Sequence, residues 1–304
     1  MDRQKVLAIV GPTGIGKTSL SVWLAKQLDG EIISCDSMQV YKKMDIGTAK
    51  VTQEEMQGIH HELIDVQNYN EPYNVKVFQE KCRTAIEDVV KRGKFPILCG
   101  GTGLYLKAAL YDYEFQEENE DIAYTTFLNS KTNEELVAML KEKDEKALEK
   151  IHPNNRKRLI RALQICHSGT SKSEQEDKQQ HIPLYDVYFL GLDVNRDILH
   201  DRINKRVDIM FENGLVKEVK DLFTNPETWE YTSFQGIGYK EFKDYFLKEK
   251  SIDEVKTAIK THSRQYAKRQ YTWFKNQMPV HWFEAKNRDE IYKAVKEWLV
   301  DEDK

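Results

Sequence analysis

The sequence predicts an α/β protein, a parallel sheet flanked by helices and interrupted by a mostly helical insertion. Three observations predict it. Short, β-branched apolar runs alternate with helical patterns through the N-terminal third of the chain. From about Tyr113 to Ile182 the sequence turns polar and helical, with no convincing strand. At Leu184–Leu192 (LYDVYFLGL) a strand pattern returns, and the remainder is mostly helical. Strands alternating with helices imply a parallel sheet with right-handed crossovers. Residues 1–112 and 183–304 are therefore expected to form one core with a helical C-terminal part, and residues 113–182 a helical insertion domain.

Each element has its own signal. Lys5–Val10 (KVLAIV) is short, apolar and rich in β-branched residues, the mark of a strand buried on both faces. A glycine-rich turn leads into a helix over Lys17–Leu28. Glu31–Cys35 (EIISC) is a second strand, Val75–Lys91 a helix, and Phe95–Cys99 (FPILC) a third strand stopped by Gly100-Gly101. In the insertion, Asn133–Leu140 (NEELVAML) and Asn155–Gly169 (NRKRLIRALQICHSG) read as helices, the second ending at a Gly169 stop signal. Ser171–Gln180, rich in Ser, Lys, Glu and Gln, reads as a mobile loop. Helices follow over Arg196–Phe211, Leu215–Phe223, Tyr239–Leu247 and Ile252–Lys275, then a strand-like Val280–Phe283 (VHWF) and a closing helix.

The 304 residues are 40% hydrophobic and 32% charged, with a net charge of -4. That is enough apolar side chain for a core, and no global basic excess, so a polyanion site must be a local patch. The four cysteines, Cys35, Cys82, Cys99 and Cys166, are far apart and lack C-x-x-C spacing. Neither a zinc knuckle nor a disulfide framework is signalled, and reduced cytosolic thiols are expected. No apolar run approaches the ~20 residues of a membrane span, and the N-terminal apolar run is too short for a signal peptide. A cytoplasmic monomer without a membrane partner is expected.

Gly11-Pro12-Thr13-Gly14-Ile15-Gly16-Lys17-Thr18 (GPTGIGKT) follows the pattern G-x-x-x-x-G-K-[ST]. Between a strand and a helix this is a phosphate cradle, because backbone N–H groups converge on an anion at the helix N-terminus. Lys17 is suited to neutralise a terminal phosphate and Thr18 to hold Mg2+. A P-loop NTPase-like core that binds a di- or triphosphate follows. One part of a phosphate-splitting site is missing. P-loop ATPases hold Mg2+ with an acidic residue at another strand end, whereas FPILCGGTGLY contains none.

The nearby strand-end carboxylate is Asp36, in SCDSMQVY. Ligands of open α/β sheets gather at the carboxyl ends of strands, so Asp36 is expected to face the same crevice as Lys17. There it would hold Mg2+ through water or act as a base; a turn or helix-cap role is the alternative. Ser37 and Gln39 lie just beyond, and a glutamine amide pairs with the donor and acceptor edge of adenine. The His60-His61 pair lacks a metal-ligand spacing and is read as structural. Gly100, Gly101 and Gly103 allow a tight turn with Thr102 at its centre.

Lys256–Lys275 contains no acidic residue, and Lys256, Lys260, Arg264 and Lys268 are each four apart. On a helix they stack in one stripe, and like charges so spaced repel by roughly a few tenths of a kcal/mol per pair. An acidic protein with an unpaired basic stripe is expected to lay it against a polyanion; a solvated helix face is the plainer reading. Arg269, Gln270, Tyr271 and Trp273 add hydrogen-bonding and stacking groups. A second basic knot is Asn155-Arg156-Lys157-Arg158 with Arg161. Arg202 and Arg206, four apart on another helix, are candidate cationic clamps over the phosphates.

GPTGIGKT, DSMQVY, DIGTAK, HHELID, GGTGLY, HPNNRKRLIRAL, GIGYKE and KRQYTWF occur in this order. Together they closely resemble the bacterial tRNA dimethylallyltransferases, from about Val6 to Phe283. The loop alone is weak; its combination with DSMQVY and GGTGLY is specific. The resemblance implies a P-loop core with a helical insertion. It also implies transfer of a dimethylallyl group from dimethylallyl diphosphate to N6 of the adenosine immediately 3′ of the anticodon, with Mg2+. Gly11 through Thr18 would grip the diphosphate, and Thr102 matches a position at the reaction channel. The tRNA anticodon stem-loop would be contacted by Asp36, Ser37, Met38 and Gln39, and by Lys157, Arg158, Leu159, Ile160 and Arg161. Gln235, Gly236, Ile237, Gly238, Tyr239 and Lys240 would join them, with Lys268, Arg269, Gln270, Tyr271, Thr272, Trp273, Phe274 and Lys275. The sequence departs at Gln235-Gly236, where some relatives carry arginine.

The chemistry fits that expectation. Adenine N6 is a poor nucleophile, so a positioned carboxylate, Asp36, is the candidate general base. Lys17, Mg2+ on Thr18, and Arg202 or Arg206 would stabilise the departing diphosphate. The target base would be flipped out of its stack and read at its edge by Gln39. Three rivals share parts of the pattern. A small-molecule P-loop kinase or an adenylate isopentenyltransferase has no need of a basic polyanion surface. A nucleic-acid-stimulated ATPase needs the strand-end carboxylate and a hydrolytic residue.

Overall fold

A computed structural model of the chain describes residues 3–115, 121–169, 171–174 and 181–301. One compact unit comprises Met1–Tyr111 with Pro183–Lys304, and a second comprises Asp112–Ile182.

The first unit is built on a six-stranded sheet among the described residues, all of its pairings parallel. Its strands are β1 (Lys5–Val10), β2 (Gly30–Ser34), β3 (His61–Glu62), β4 (Phe95–Gly100), β5 (Asp186–Asp193) and β6 (His281–Glu284), in the order β3-β2-β4-β1-β5-β6. The unbroken apolar run of β1 earns the central position: Val6 to Val10 are wholly buried. Alternate residues serve opposite faces. Val6, Ala8 and Val10 pack into one core with α3 (Val75–Lys91) and α4 (Gly103–Leu110), and with the helices after β5. Leu7 and Ile9 pack into the other with α1 (Lys17–Leu28) and α12 (Arg288–Val300).

Helix limits follow from caps. The Asn74 side chain accepts the Val77 N–H to start α3, whose Phe78, Cys82, Ala85, Ile86 and Val89 form the buried stripe. α4 ends where Arg83, reaching across from α3, donates to the carbonyls of Ala108, Ala109 and Tyr111. That satisfies helix-end acceptors that would otherwise lack partners. The short α2 (Gln53–Met56) precedes β3, and after β5 come α8 (Arg196–Glu212), α9 (Leu215–Leu222), α10 (Phe242–Phe246) and α11 (Ile252–Gln277).

One strand was not expected, and two local expectations are corrected. β3 carries only two residues, too few for an apolar run to announce it. β5 begins at Asp186, because Leu184 is drawn aside to donate its N–H to Leu110. The helix expected from Tyr239 begins at Phe242, since Gly238 at φ 100° turns the chain first.

In the second unit α5 (Ile122–Asn129), α6 (Asn133–Asp144) and α7 (Arg156–His167) enclose a core of Leu128, Leu136, Leu140, Ile151, Leu159 and Leu163. Asp121, Thr132 and Asn155 cap the three helices. Residues 175–180 of the loop expected over Ser171–Gln180 lie outside the described residues. Among the described residues no helix is long and apolar enough to cross a membrane.

Candidate active site

The candidate site lies in the first unit, at the carboxyl ends of β1, β2 and β4. After β1 the chain turns through Gly11, Gly14 and Gly16 at φ 140°, 80° and 106°, conformations that side chains other than glycine rarely adopt. Gly16 caps α1 in the left-handed region without using a side chain, so the N–H groups of the first turn stay directed at the loop. Lys17 folds back over the loop, its Nζ donating to the Gly11 and Pro12 carbonyls at 2.9 Å each. Burial pulls its ammonium down to about 8; the Asp36 charge acts against that fall, and Arg206 adds to it.

Arg202 and Arg206 reach the loop from α8. Arg202 approaches the Ile15 carbonyl and Arg206 the Thr13 hydroxyl, each at 3.4 Å. Desolvation by the cleft walls lowers Arg206 from its ordinary value although solvent still reaches it, with Glu55 and Asp36 opposing. A guanidinium stays charged through such a shift.

Asp36 follows β2. Its Oδ1 accepts the N–H groups of Met38 (2.8 Å) and Gln39 (3.3 Å), while no donor among the described residues is bonded to Oδ2. The turn role is thus filled by one oxygen, and the other stays open to a ligand. The next segment is stitched to the turn after β4. Thr102 Oγ1 accepts the Ser37 N–H at 3.3 Å, and the Thr102 N–H donates to the Cys35 carbonyl. At the end of β4, where a phosphate-splitting site would hold a carboxylate, stands Cys99. Burial raises its thiol above the ordinary value, against the opposing pull of Lys17 and Ser21, so it stays neutral.

Two expected tRNA contacts are corrected by their hydrogen bonds. Gln39 was expected to offer both amide ends to a base; its Nε2 instead donates to the carbonyls of Ala49 (3.0 Å) and Thr48 (3.5 Å), leaving only Oε1. Gln270 was expected outward; it is buried, accepting the Thr13 N–H through Oε1 and donating to the Gly101 carbonyl through Nε2, both at 2.9 Å. Leu159, Tyr239 and Phe274 are likewise fully buried and serve as framework. Gly238 is buried, and Gly236 packs so closely on Met38 that a Cβ there would collide with its side chain. Ile160, Ile237, Tyr271 and Trp273 are half-buried, Trp273 against Gly103. Gln235 is exposed and donates to the Trp229 carbonyl, while Lys240, Thr272, Lys157, Arg158 and Arg161 are exposed.

The basic stripe is corrected too. Lys256 and Lys260 both pair with Asp208 of α8, at 2.6 and 2.7 Å, and Arg264 bonds Asn204 and Thr261. The two ammonium groups hold the Asp208 carboxyl below its usual range. What remains directed outward lies further along α11: Lys268, Arg269 over the Tyr266 ring at 5.7 Å, and Lys275 over the Tyr271 ring at 4.4 Å.

Tyr266 was missed by sequence reasoning. Burial and the Asp36 charge push its hydroxyl up to about 12, with Thr102 and Gln270 hydrogen bonds opposing. It is half-buried on α11. A tyrosine carries no motif, but its position one helical turn before Gln270 was the available signal. The His60-His61 pair is held by local bonds, His60 to Glu62 and His61 to the Ile59 carbonyl. Glu31, His60 and Glu62 do cluster, with Arg92 donating to both carboxylates.

For Mg2+ the donor set is chemically apt. The Thr18 hydroxyl and Asp36 Oδ2 are hard oxygens without a hydrogen-bond donor among the described residues. Mg2+ sites typically use one or two protein oxygens and take the rest from phosphates and water.

A family model described as IPP transferase matches residues 39–277. A curated tRNA dimethylallyltransferase of Bacillus anthracis is 49% identical over 290 residues, 94% of this chain and 92% of its own length. The solved full-length tRNA isopentenylpyrophosphate transferase of Bacillus halodurans is similar with a TM-score of 0.74 and 42% identity, over 98% of this chain and 97% of that one. A eukaryotic dimethylallyltransferase solved while acting on tRNA reaches a TM-score of 0.83 at 32% identity, over 98% of this chain and 79% of that one.

Proposed function

The chain belongs to the IPP transferase family, and we propose that it moves a dimethylallyl group from dimethylallyl diphosphate to N6 of the adenosine immediately 3′ of a tRNA anticodon. One observation carries this reading: Lys17, in the glycine loop after β1, and Asp36, after β2 with an oxygen free of donors among the described residues, stand at the same carboxyl edge of the parallel sheet. A cation above a phosphate cradle and a base with a free oxygen are the two halves of an alkyl transfer from a diphosphate.

In this reading the diphosphate takes the loop N–H groups and draws Lys17 off the Gly11 and Pro12 carbonyls. Lys17, Arg202 and Arg206 stabilise the negative charge as the C–O bond breaks. The Thr18 hydroxyl would hold Mg2+, which would supply further neutralisation of that charge. The allylic carbon gains cationic character and bonds to N6, and Asp36 Oδ2 takes the N6 proton. Thr102 and Tyr266 line the channel beside Asp36. The loop keeps the phosphates while the carbon chain leaves.

The exposed cations Lys268, Arg269 and Lys275 suit the RNA backbone, and so do Lys157 and Arg158 in the second unit. Tyr271 and Trp273 offer ring faces at the same end of α11. The test mixes the protein, Mg2+, labelled dimethylallyl diphosphate and unmodified tRNA. Label in the tRNA at adenosine is expected; ATP consumption with no labelled RNA would overturn the reading.

A further inference from the structure

The loop that holds Gln39 is itself fixed by a single carboxylate. Glu218, on α9, accepts the backbone N–H groups of Asp45 (2.9 Å) and Ile46 (2.7 Å) on Oε2 and of Gly47 (3.0 Å) on Oε1. Its Oε1 also accepts the Tyr239 hydroxyl at 2.7 Å. Three successive N–H groups converging on one anion form a nest, and hydrogen bonds to an ionised acceptor are roughly twice as strong as neutral ones. The packing leaves little freedom: a Cβ on Gly47 would stand 2.6 Å from Tyr239 ring atoms. The far end of the loop is anchored by Lys50, a buried ammonium paired with Asp45 and Asp65 at 2.6 Å each. Lys50 donates as well to the Tyr41 carbonyl at 2.7 Å.

Between these anchors lie the carbonyls of Thr48 and Ala49, which receive the Gln39 amide. A carbonyl accepts and never donates, so only the NH2 end of that amide can face them. The reversed amide would set its oxygen against two others. The end of Gln39 left over is an acceptor alone.

Resting on the functional reading that a purine enters beside Asp36, we propose that Glu218 is a positioning residue for base selection. By anchoring the 45–49 loop it holds the Gln39 amide so that only its oxygen meets the incoming base. An exocyclic amine, as on adenine, donates to that oxygen; the carbonyl of guanine or hypoxanthine at the same place repels it. Glu218 acts through the loop and touches neither the diphosphate nor the reacting nitrogen.

The test uses the full chain and anticodon stem-loop RNAs carrying adenosine, purine riboside or inosine at the acceptor position. Binding is read by fluorescence anisotropy with an unreactive thiolo analogue of dimethylallyl diphosphate present. The wild type is expected to bind adenosine about fivefold more tightly than purine riboside, the effect of one hydrogen bond, and to bind inosine most weakly. In Glu218→Ala, and more mildly in Tyr239→Phe, the adenosine-to-inosine ratio falls by about threefold or more, while affinity for the analogue alone is unchanged. Tyr239→Phe carries the comparison if Glu218→Ala does not fold. A wild type that binds inosine as well as purine riboside overturns the orientation of Gln39. Folded variants that keep the wild-type ratio overturn the role of Glu218. Failure of the wild type to label adenosine RNA at all is a separate result and counts against the functional reading instead.

Discussion

Gln270 and Thr13 are joined by a 2.9 Å hydrogen bond that clamps the phosphate loop to α11. The same amide donates to Gly101, in the turn that carries Thr102, and a Cβ on Gly101 would collide with it. One buried side chain thus ties the glycine loop, the turn bearing Thr102 and the helix bearing Lys268 and Arg269. Gln270→Ala strands the Thr13 N–H and the Gly101 carbonyl and leaves a cavity. A loss of about 2–3 kcal/mol in unfolding free energy is expected, read from urea denaturation. The KM for dimethylallyl diphosphate should rise with it. Full stability would mean that the clamp is dispensable.

Asp36 has two oxygens with separate employment, and an isosteric amide separates them. Asp36→Asn keeps Oδ1 as acceptor for the Met38 and Gln39 N–H groups but removes the proposed base. Turnover of saturating labelled donor is expected to fall about 10²–10⁴-fold, the usual contribution of general base catalysis. RNA affinity should hold, since the segment keeps its shape. A kcat close to wild type would remove Asp36 from the proton transfer.

The division of the basic helix gives a third outcome. Lys256 and Lys260 share Asp208, so replacing them with Met changes the salt dependence of RNA binding little. Replacing Lys268 and Lys275 is expected to reduce the slope of log K against log salt by about 0.7–0.9 for each phosphate no longer neutralised. Equal slopes from both pairs would return the whole helix to a solvated face.

Much of the fold was legible because its determinants are local. Val6 to Val10 form an unbroken apolar run that only a central strand can bury on both faces, and the glycines of the loop fall where φ is positive. Family membership was legible too, in the order of eight short motifs. The pairing of Lys256 and Lys260 with Asp208 was not, because it joins two helices across a fold that spacing alone does not reveal. The inward turn of Gln270 left a trace: Ile259, Ala267, Gln270 and Phe274 form the buried stripe of α11. A polar residue on an apolar stripe is commonly a bonded core group, and it reads as a surface residue when the stripe is not followed. Glu218 gave no signal of its own, since a carboxylate that meets backbone N–H groups has no pattern of neighbours in sequence.

The depressed pKa of Lys17 leads to a pH dependence whose sign can be worked out. Burial brings the ammonium down to about 8 from an ordinary value of 10.5. Between those values the unfolded chain holds a proton that the folded chain lacks, so stability contributed by this group rises with pH across that window. Diphosphate binding runs the other way, because the anion favours the charged ammonium and raises its pKa again. Below about 8 the proton is already present and affinity for the thiolo analogue is level; above it, affinity falls by up to about tenfold per pH unit. Calorimetry in buffers of different ionisation heat should find proton uptake approaching one as the pH passes the break. Lys17→Met abolishes the uptake. Arg206→Ala, which removes the neighbouring cation that lowers Lys17, moves the break upward even as it weakens binding. An affinity that stays level well past about pH 9 would show that Lys17 does not meet the diphosphate.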